Sequence, residues 1–161
     1  MLKHIKDEKV FKFILNNLRN EDYIELKDSK CSGWFNQTLE NLKTADVTVM
    51  FVKDKNGEFL PIAMGGFEPY FQDGNNLAVV WLLSTKFINQ YKLIFWKELN
   101  TYFSQEKSKY SILFNFIYKS NFQAKRWLRL LGFKFDNPKP EGMEVAENFE
   151  FFYKVINRKG K

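Results

Sequence analysis

The residue types able to do chemistry are few in this chain, and their scarcity already excludes much. There is one cysteine, Cys31, and one histidine, His4. A single cysteine forms no internal disulfide, and the two together make no Cys/His metal cluster. Cys31 sits in Ser29-Lys30-Cys31-Ser32-Gly33, and no second histidine exists to pair with it as a base. Thiol nucleophile chemistry is therefore not expected. Carboxylates, tyrosines, amides and amines are left, which are groups for moving protons and holding anions. Thr85, Lys86 and Lys92 lie at the start of a predicted helix, where side chains and the helix N-terminus favour an anion. Lys119, Lys125, Arg126, Arg129 and Lys134 form a basic edge without an intervening acid. That edge suits a phosphate group, nucleic acid or an acidic protein face; structurally it is a solvated helix face.

The elements that must position these residues are clearest from Tyr110 to Phe135. The run reads as a buried strand, a polar turn, a short amphipathic helix, a glycine stop at Gly132 and another strand. Ala124, Trp127, Leu128 and Leu131 recur at helical spacing, Lys125, Arg126 and Arg129 point elsewhere, and Asn121 caps the start. Upstream, residues 7–19 predict a helix with Asp7 as N-cap. Residues 20–29 read as a short acidic connector around a helical turn, and Trp34 to Leu42 as a helix. Asp46 to Lys53 and Glu58 to Phe67 predict a hairpin turned at Asn56-Gly57. Pro61 favours an edge or a strand start, and Gly65-Gly66 a bulge or a close backbone approach. Residues 71–76 read as a loop, and Leu77 to Leu83 as a central strand covered on both faces. The longest helix is predicted over Ile88 to Phe103, with Ile94 and Phe103 widening its apolar stripe. Residues 136–147 read as a loop rich in Pro, Gly and acids, and Phe149 to Asn157 as the last strand.

The chain has 161 residues, a length that suits one domain. Its 18 phenylalanines supply core area with few rotamers to freeze. The net charge of +6 permits anionic partners without requiring them. No apolar run is long enough to cross a bilayer, and MLKHIKDEK has no signal-peptide core. These features predict a soluble protein kept inside a cell.

In this order of elements the chain resembles the GNAT (GCN5-related N-acetyltransferase) superfamily. The residues that carry the likeness are Asn121, Ala124, Gly132 and Phe133. It implies one α/β domain over residues 1–157, a mixed sheet flanked by helices, with a short basic tail at 158–161. It also implies acetyl-CoA, bound where two central parallel strands part. AMGGFEPY (63–70), VVWLLST (79–85) and the NFQAKRWLRLLGFKF run are more closely similar to GNAT-like internal virion proteins of T7-type short-tailed bacteriophages.

The resemblance also names a site. The superfamily holds the CoA pyrophosphate on Gln/Arg-x-x-Gly-x-Gly/Ala, whose small residues admit the phosphates to backbone N–H groups. The matching stretch here, Ser84 to Lys92, has no glycine. Asn89 and Tyr91 fall at the small positions, so Thr85, Lys86 and Asn89 would have to meet the anion. The tyrosine acid common in the family falls at Leu128, which leaves Tyr118 as substitute acid and Glu68 as base, with Tyr70 nearby. A backbone N–H near Leu83 or Ser84 would polarise the acyl carbonyl. Asn121 would bond the pantetheine arm, or simply cap its helix. Trp81 and Phe67 would supply bulk in the cleft.

The function expected from this is a phage-encoded GNAT-like protein with a degenerate acetyl-CoA site. It would act by protein contacts in virion assembly, as an internal virion component or on a host target, in the host cytoplasm and the virion. The alternatives are a CoA-dependent N-acyltransferase acting on an amine, and a nucleic-acid-binding accessory protein. The final strand would allow a homodimer if it lies at the sheet edge.

Overall fold

The computed structural model describes residues 1–30, 32–72, 75–106, 109–136 and 146–156. Its elements are β1 (Leu2–His4), α1 (Glu8–Asn16), α2 (Asn20–Lys30), α3 (Trp34–Thr44), β2 (Thr48–Lys53), β3 (Phe59–Gln72) and β4 (Asn75–Ser84). A 3-10 turn (Lys86–Gln90), α4 (Lys92–Glu106), β5 (Ile112–Tyr118), α5 (Phe122–Leu130) and β6 (Phe149–Val155) follow. The six strands lie side by side in chain order. All neighbours pair antiparallel except β4 and β5, which are parallel. The fold is thus a mixed α/β sheet flanked by helices, with β6 at one edge.

Each sheet face is covered for a reason visible in side-chain spacing. Phe11, Ile14 and Leu15 of α1 and Leu39 and Leu42 of α3 meet Val47, Val49 and Met64 on one face. Phe95 and Leu99 of α4 meet Met50, Val52 and Ile62 on the other, and Phe103 packs there with Leu113 and Phe152. Asp7 caps α1, its carboxylate accepting from Lys9 N at 2.9 Å. Asn121 caps α5 by accepting from Ala124 N at 3.3 Å, and Gly132 ends that unit at φ 85°.

Several expectations change. Residues 20–30 form a full helix where a connector was expected; its apolar residues make no stripe, so periodicity does not announce it. Strands β3 and β4 run into the expected loop at 71–76, pairing as far as Gln72 with Asn75. The helix expected from Ile88 starts at Lys92, after the 3-10 turn. Ile94 is exposed, while Phe103 is buried as expected. Lys125 points inward and is only 9% exposed, because its ammonium pairs with Glu150 of β6. The strand expected after Gly132 is reduced to one bridge between Lys134 and Tyr153. Strand β1 was not anticipated. Cys31, the basic tail and most of the loop at 136–147 lie outside the described residues.

Pro61 sits in the middle of the sheet, opposite a register shift between Met50 and Phe51, where a missing N–H is tolerated. Gly65 and Gly66 mark a close approach. A Cβ on Gly65 would lie 2.6 Å from Trp81 O, and one on Gly66 2.6 Å from Asp46 O. Both obstacles are backbone, which cannot swing aside. Gly66→Ala is expected to destabilise the fold by about 1–3 kcal/mol in urea unfolding. A loss under about 0.5 kcal/mol, as for an ordinary surface substitution, would show that the strands are not held this tightly.

Candidate functional site

Strands β4 and β5 pair only from Leu77 with Ile112 to Val79 with Phe114. Beyond that point they part. Thr85 N donates to Ile62 O at 2.8 Å, so odd-numbered residues at the end of β4 face β3. Ser84 faces the opposite way, into the gap, and by alternation so do Leu82 and Val80. Asn115 Nδ2 closes part of the gap by donating to Val80 O at 2.7 Å. The N–H and C=O of Leu82 thus point into a space that no strand among the described residues crosses.

A cavity of about 670 Å³ fills this space. It is lined by β3, β4 and β5 and by Asn121, Ala124, Trp127 and Leu128. Trp81 and Phe67 form its walls without filling it. Phe67 packs with Tyr102, Phe103 and Tyr110 at ring distances of 5.5–6.0 Å. Trp81 packs with the α1 and α3 cluster.

Helix α2 spans the open end of the gap with acids, and these were missed in sequence. Asp22 accepts from Ser84 N at 2.8 Å and Ser84 Oγ at 2.7 Å. It is paired with Arg19 Nη2 at 2.7 Å. Arg19 also donates to Gln123 Oε1 at 2.9 Å and lies over the Trp127 ring at 5.1 Å. One turn further along, Glu25 Oε1 accepts from Tyr118 N at 3.0 Å and Asn121 Nδ2 at 2.9 Å. Asp22 therefore holds the end of β4 and Glu25 the end of β5. Burial pushes the Glu25 carboxyl up to about 7; the Asn121 amide opposes this, Asp22 adds to it, and Tyr118 N–H and Arg19 oppose it. The signal available in sequence was Asp22, Glu25 and Asp28 at three-residue spacing, one face of a helix with no apolar stripe.

No family model matches the chain, and no curated protein matches it in sequence. Solved structures do match it in shape. A GNAT-family acetyltransferase of Streptococcus pneumoniae is 13% identical, with a TM-score of 0.54 over 97% of this chain and 99% of that one. A ribosomal-protein-alanine N-acetyltransferase of Brucella melitensis is 17% identical, TM-score 0.57, over 97% and 99%. A chimeric spermidine N-acetyltransferase from Vibrio cholerae and hSSAT is 13% identical, TM-score 0.61, over 96% and 94%. The fold is that of the GNAT acetyltransferases. At these identities the likeness is one of fold, and the site must be judged on its own residues.

Judged so, β4 and β5 part over a cavity, and the turn after β4 has no glycine. Thr85 is fully buried, its N–H and hydroxyl both donating to Ile62 O. Lys86 N donates to Asn17 O, Ile88 N to Thr85 O and Tyr91 N to Ile88 O, at 2.9–3.1 Å. Four N–H groups of the turn are thus engaged by the chain's own carbonyls. The Lys86 side chain is exposed, and Asn89 accepts from Gln123 Nε2 at 3.4 Å. The gap opens onto the cavity, and the exposed side chains of Lys86 and Lys92 flank the turn at its end.

The other sequence candidates scatter around this gap. Glu68 is exposed, opposite Val79 on β3, and lines the cavity. Tyr118 is not among the residues that line the cavity, and Asp28 beside its hydroxyl raises its pKa. Leu83 packs in the α1 and α3 core, and its N–H faces β3 by the same alternation. Asn121 is buried between Glu25 and Arg19. The basic edge is interrupted, since Lys125 pairs with Glu150 and Arg129 lies over Phe135 at 4.8 Å.

Because folding raises the Glu25 pKa, the folded chain binds this proton more tightly than the unfolded chain. Stability is therefore lost as pH rises from about 4.5 to about 7. Glu25→Gln keeps an acceptor for both N–H groups and has no charge to desolvate. It should match wild type near pH 4 and exceed it at pH 8 by on the order of 2–3 kcal/mol. Urea unfolding at the two pH values checks this; equal stability at both would mean that Glu25 ionises freely.

Proposed function

We propose that this protein is a CoA-dependent N-acyltransferase that acylates an amine. The observation that carries the reading is the parting of β4 from β5 over a cavity of about 670 Å³, with the Leu82 backbone facing it. A thioester, when bound, supplies an activated acyl carbon. The chain supplies the slot, the Leu82 N–H as donor to a carbonyl oxygen, and walls that exclude water. The neighbours named for spermidine and for ribosomal-protein alanine point to an amine acceptor as the shared class without fixing which amine.

A second reading has its own observation. The N–H groups of Thr85, Lys86, Ile88 and Tyr91 are engaged internally, and the turn has no glycine. This favours a GNAT-like protein that has lost acetyl-CoA and acts by protein contacts; the resemblance to phage virion proteins would then supply the setting.

Titration calorimetry with acetyl-CoA separates the two. The acyltransferase reading expects saturable heat, and a ligand at about 100 times its Kd stabilises by about 2.7 kcal/mol. Ala124→Phe, which narrows the cavity from α5, should abolish both effects. No heat and no rise in Tm at millimolar acetyl-CoA would leave the protein-contact reading standing.

A further inference from the structure

Three acids on α2 line the cavity, Asp22, Glu25 and Asp28, and their surroundings differ. Asp22 is matched by Arg19 and by both donors of Ser84. Asp28 is exposed to solvent beside the Tyr118 hydroxyl, whose pKa it raises. Glu25 differs. Its Oε1 takes two neutral donors, Tyr118 N and Asn121 Nδ2, while no donor among the described residues reaches Oε2. It lines the cavity, on the side of the gap opposite the Asp22–Ser84 contact. The same cavity contains two further groups without partners. Thr38 of α3 is 5% exposed, and among the described residues neither its Oγ1 nor the buried Trp81 Nε1 has a hydrogen-bond partner. Buried polar atoms are normally satisfied; Thr38 Oγ1 can accept from a ligand N–H, whereas Trp81 Nε1 can only donate, to an acceptor such as a carbonyl oxygen.

We infer that Glu25 receives the ammonium group of the acceptor amine in this cavity and removes its proton. This rests on the acyltransferase reading and adds the base to it. The step is a proton transfer: the ammonium gives one proton to the Glu25 carboxylate, leaving a neutral amine with a free lone pair and a neutral carboxylic acid. No other reactant is needed. Tyr118 N–H and Asn121 hold Oε1, so Oε2 is the oxygen that meets the ammonium. The charged groups facing Glu25 are Asp22 and Arg19, which offset one another. α5 presents the neutral Asn121, and β5 the neutral Tyr118 amide. A raised carboxyl pKa near 7 suits a group that must both accept and release a proton. Glu68, exposed to solvent, has no such environment.

The test uses the whole protein labelled with 13C-glutamate and n-butylammonium chloride as probe, against potassium chloride at equal ionic strength. Comparison with Glu25→Gln assigns the Glu25 carboxyl resonance, and its midpoint is followed by NMR. The amine should lower that midpoint by about one unit, because a nearby cation favours the carboxylate. In parallel, thiol release from acetyl-CoA with n-butylamine is followed from pH 5.5 to 9. Glu25→Gln should cut kcat/KM at pH 7 by about 100-fold or more and remove the limb that titrates near the Glu25 midpoint. An unmoved midpoint at saturating amine overturns the inference, as does a Glu25→Gln enzyme that keeps its rate and its limb. A moved midpoint with no acetyl-CoA heat would keep the ammonium site and overturn the acyltransferase reading. The NMR midpoint is read on the wild-type chain, so the inference stays open to refutation even if the variant turns over poorly for another reason.

Discussion

The rest of this structure depends on one constraint: two parallel strands at the centre of a sheet part, and their backbone groups must be satisfied without each other. Unpaired buried N–H groups cost as much as lost hydrogen bonds. The chain answers with side chains, two of them from a helix distant in sequence. Asp22 takes Ser84 N, Glu25 takes Tyr118 N, and Asn115 reaches across to Val80 O. What this leaves open, at Leu82, is the part of β4 that a ligand can still complete. The cavity is therefore a direct product of the strand geometry.

The same constraint explains why α2 exists. Its residues bury no continuous apolar stripe, and a helix of 11 residues with little packing is marginal alone. Two carboxylates fasten it to the strand ends, and Arg19, under one carboxylate and over Trp127, ties it to α5. The arrangement has an electrostatic consequence. Asp22 has a guanidinium as its partner, whereas Glu25 has only neutral donors and is desolvated. Two acids three residues apart on one helix thus carry different chemistry because their surroundings differ.

Much of the fold was legible in the residues. The apolar spacing of α1 and α3, the Asp7 and Asn121 caps, the Asn-Gly turn and the Gly132 stop all act as their types suggest. Gly65 and Gly66 could be read as a bulge or as a close approach, and the 2.6 Å that would separate an added Cβ from a neighbouring carbonyl oxygen at each gives the close approach. The reading failed where a residue's role is set by a distant partner. Lys125 looks solvated on a helical wheel, yet Glu150 on β6 draws it inward. The turn after β4 looks like a helix start, yet Asn17 and Ile62 take its first amides and tighten it into 3-10 form.

The sequence by itself determined the order and type of most elements, the apolar faces, the glycine-free turn and the presence of a single cysteine and a single histidine. These follow from local rules: periodicity, capping, turn residues and composition. Only the tertiary structure decided which carboxylate matters. Glu68 and Tyr118 were chosen by their places near strand ends, and Glu25 lay in what read as a connector. Folding brings α2 across the gap, 93 residues from the Tyr118 amide that Glu25 accepts from. Burial and hydrogen bonding at that junction, which no local pattern encodes, give Glu25 its altered proton affinity.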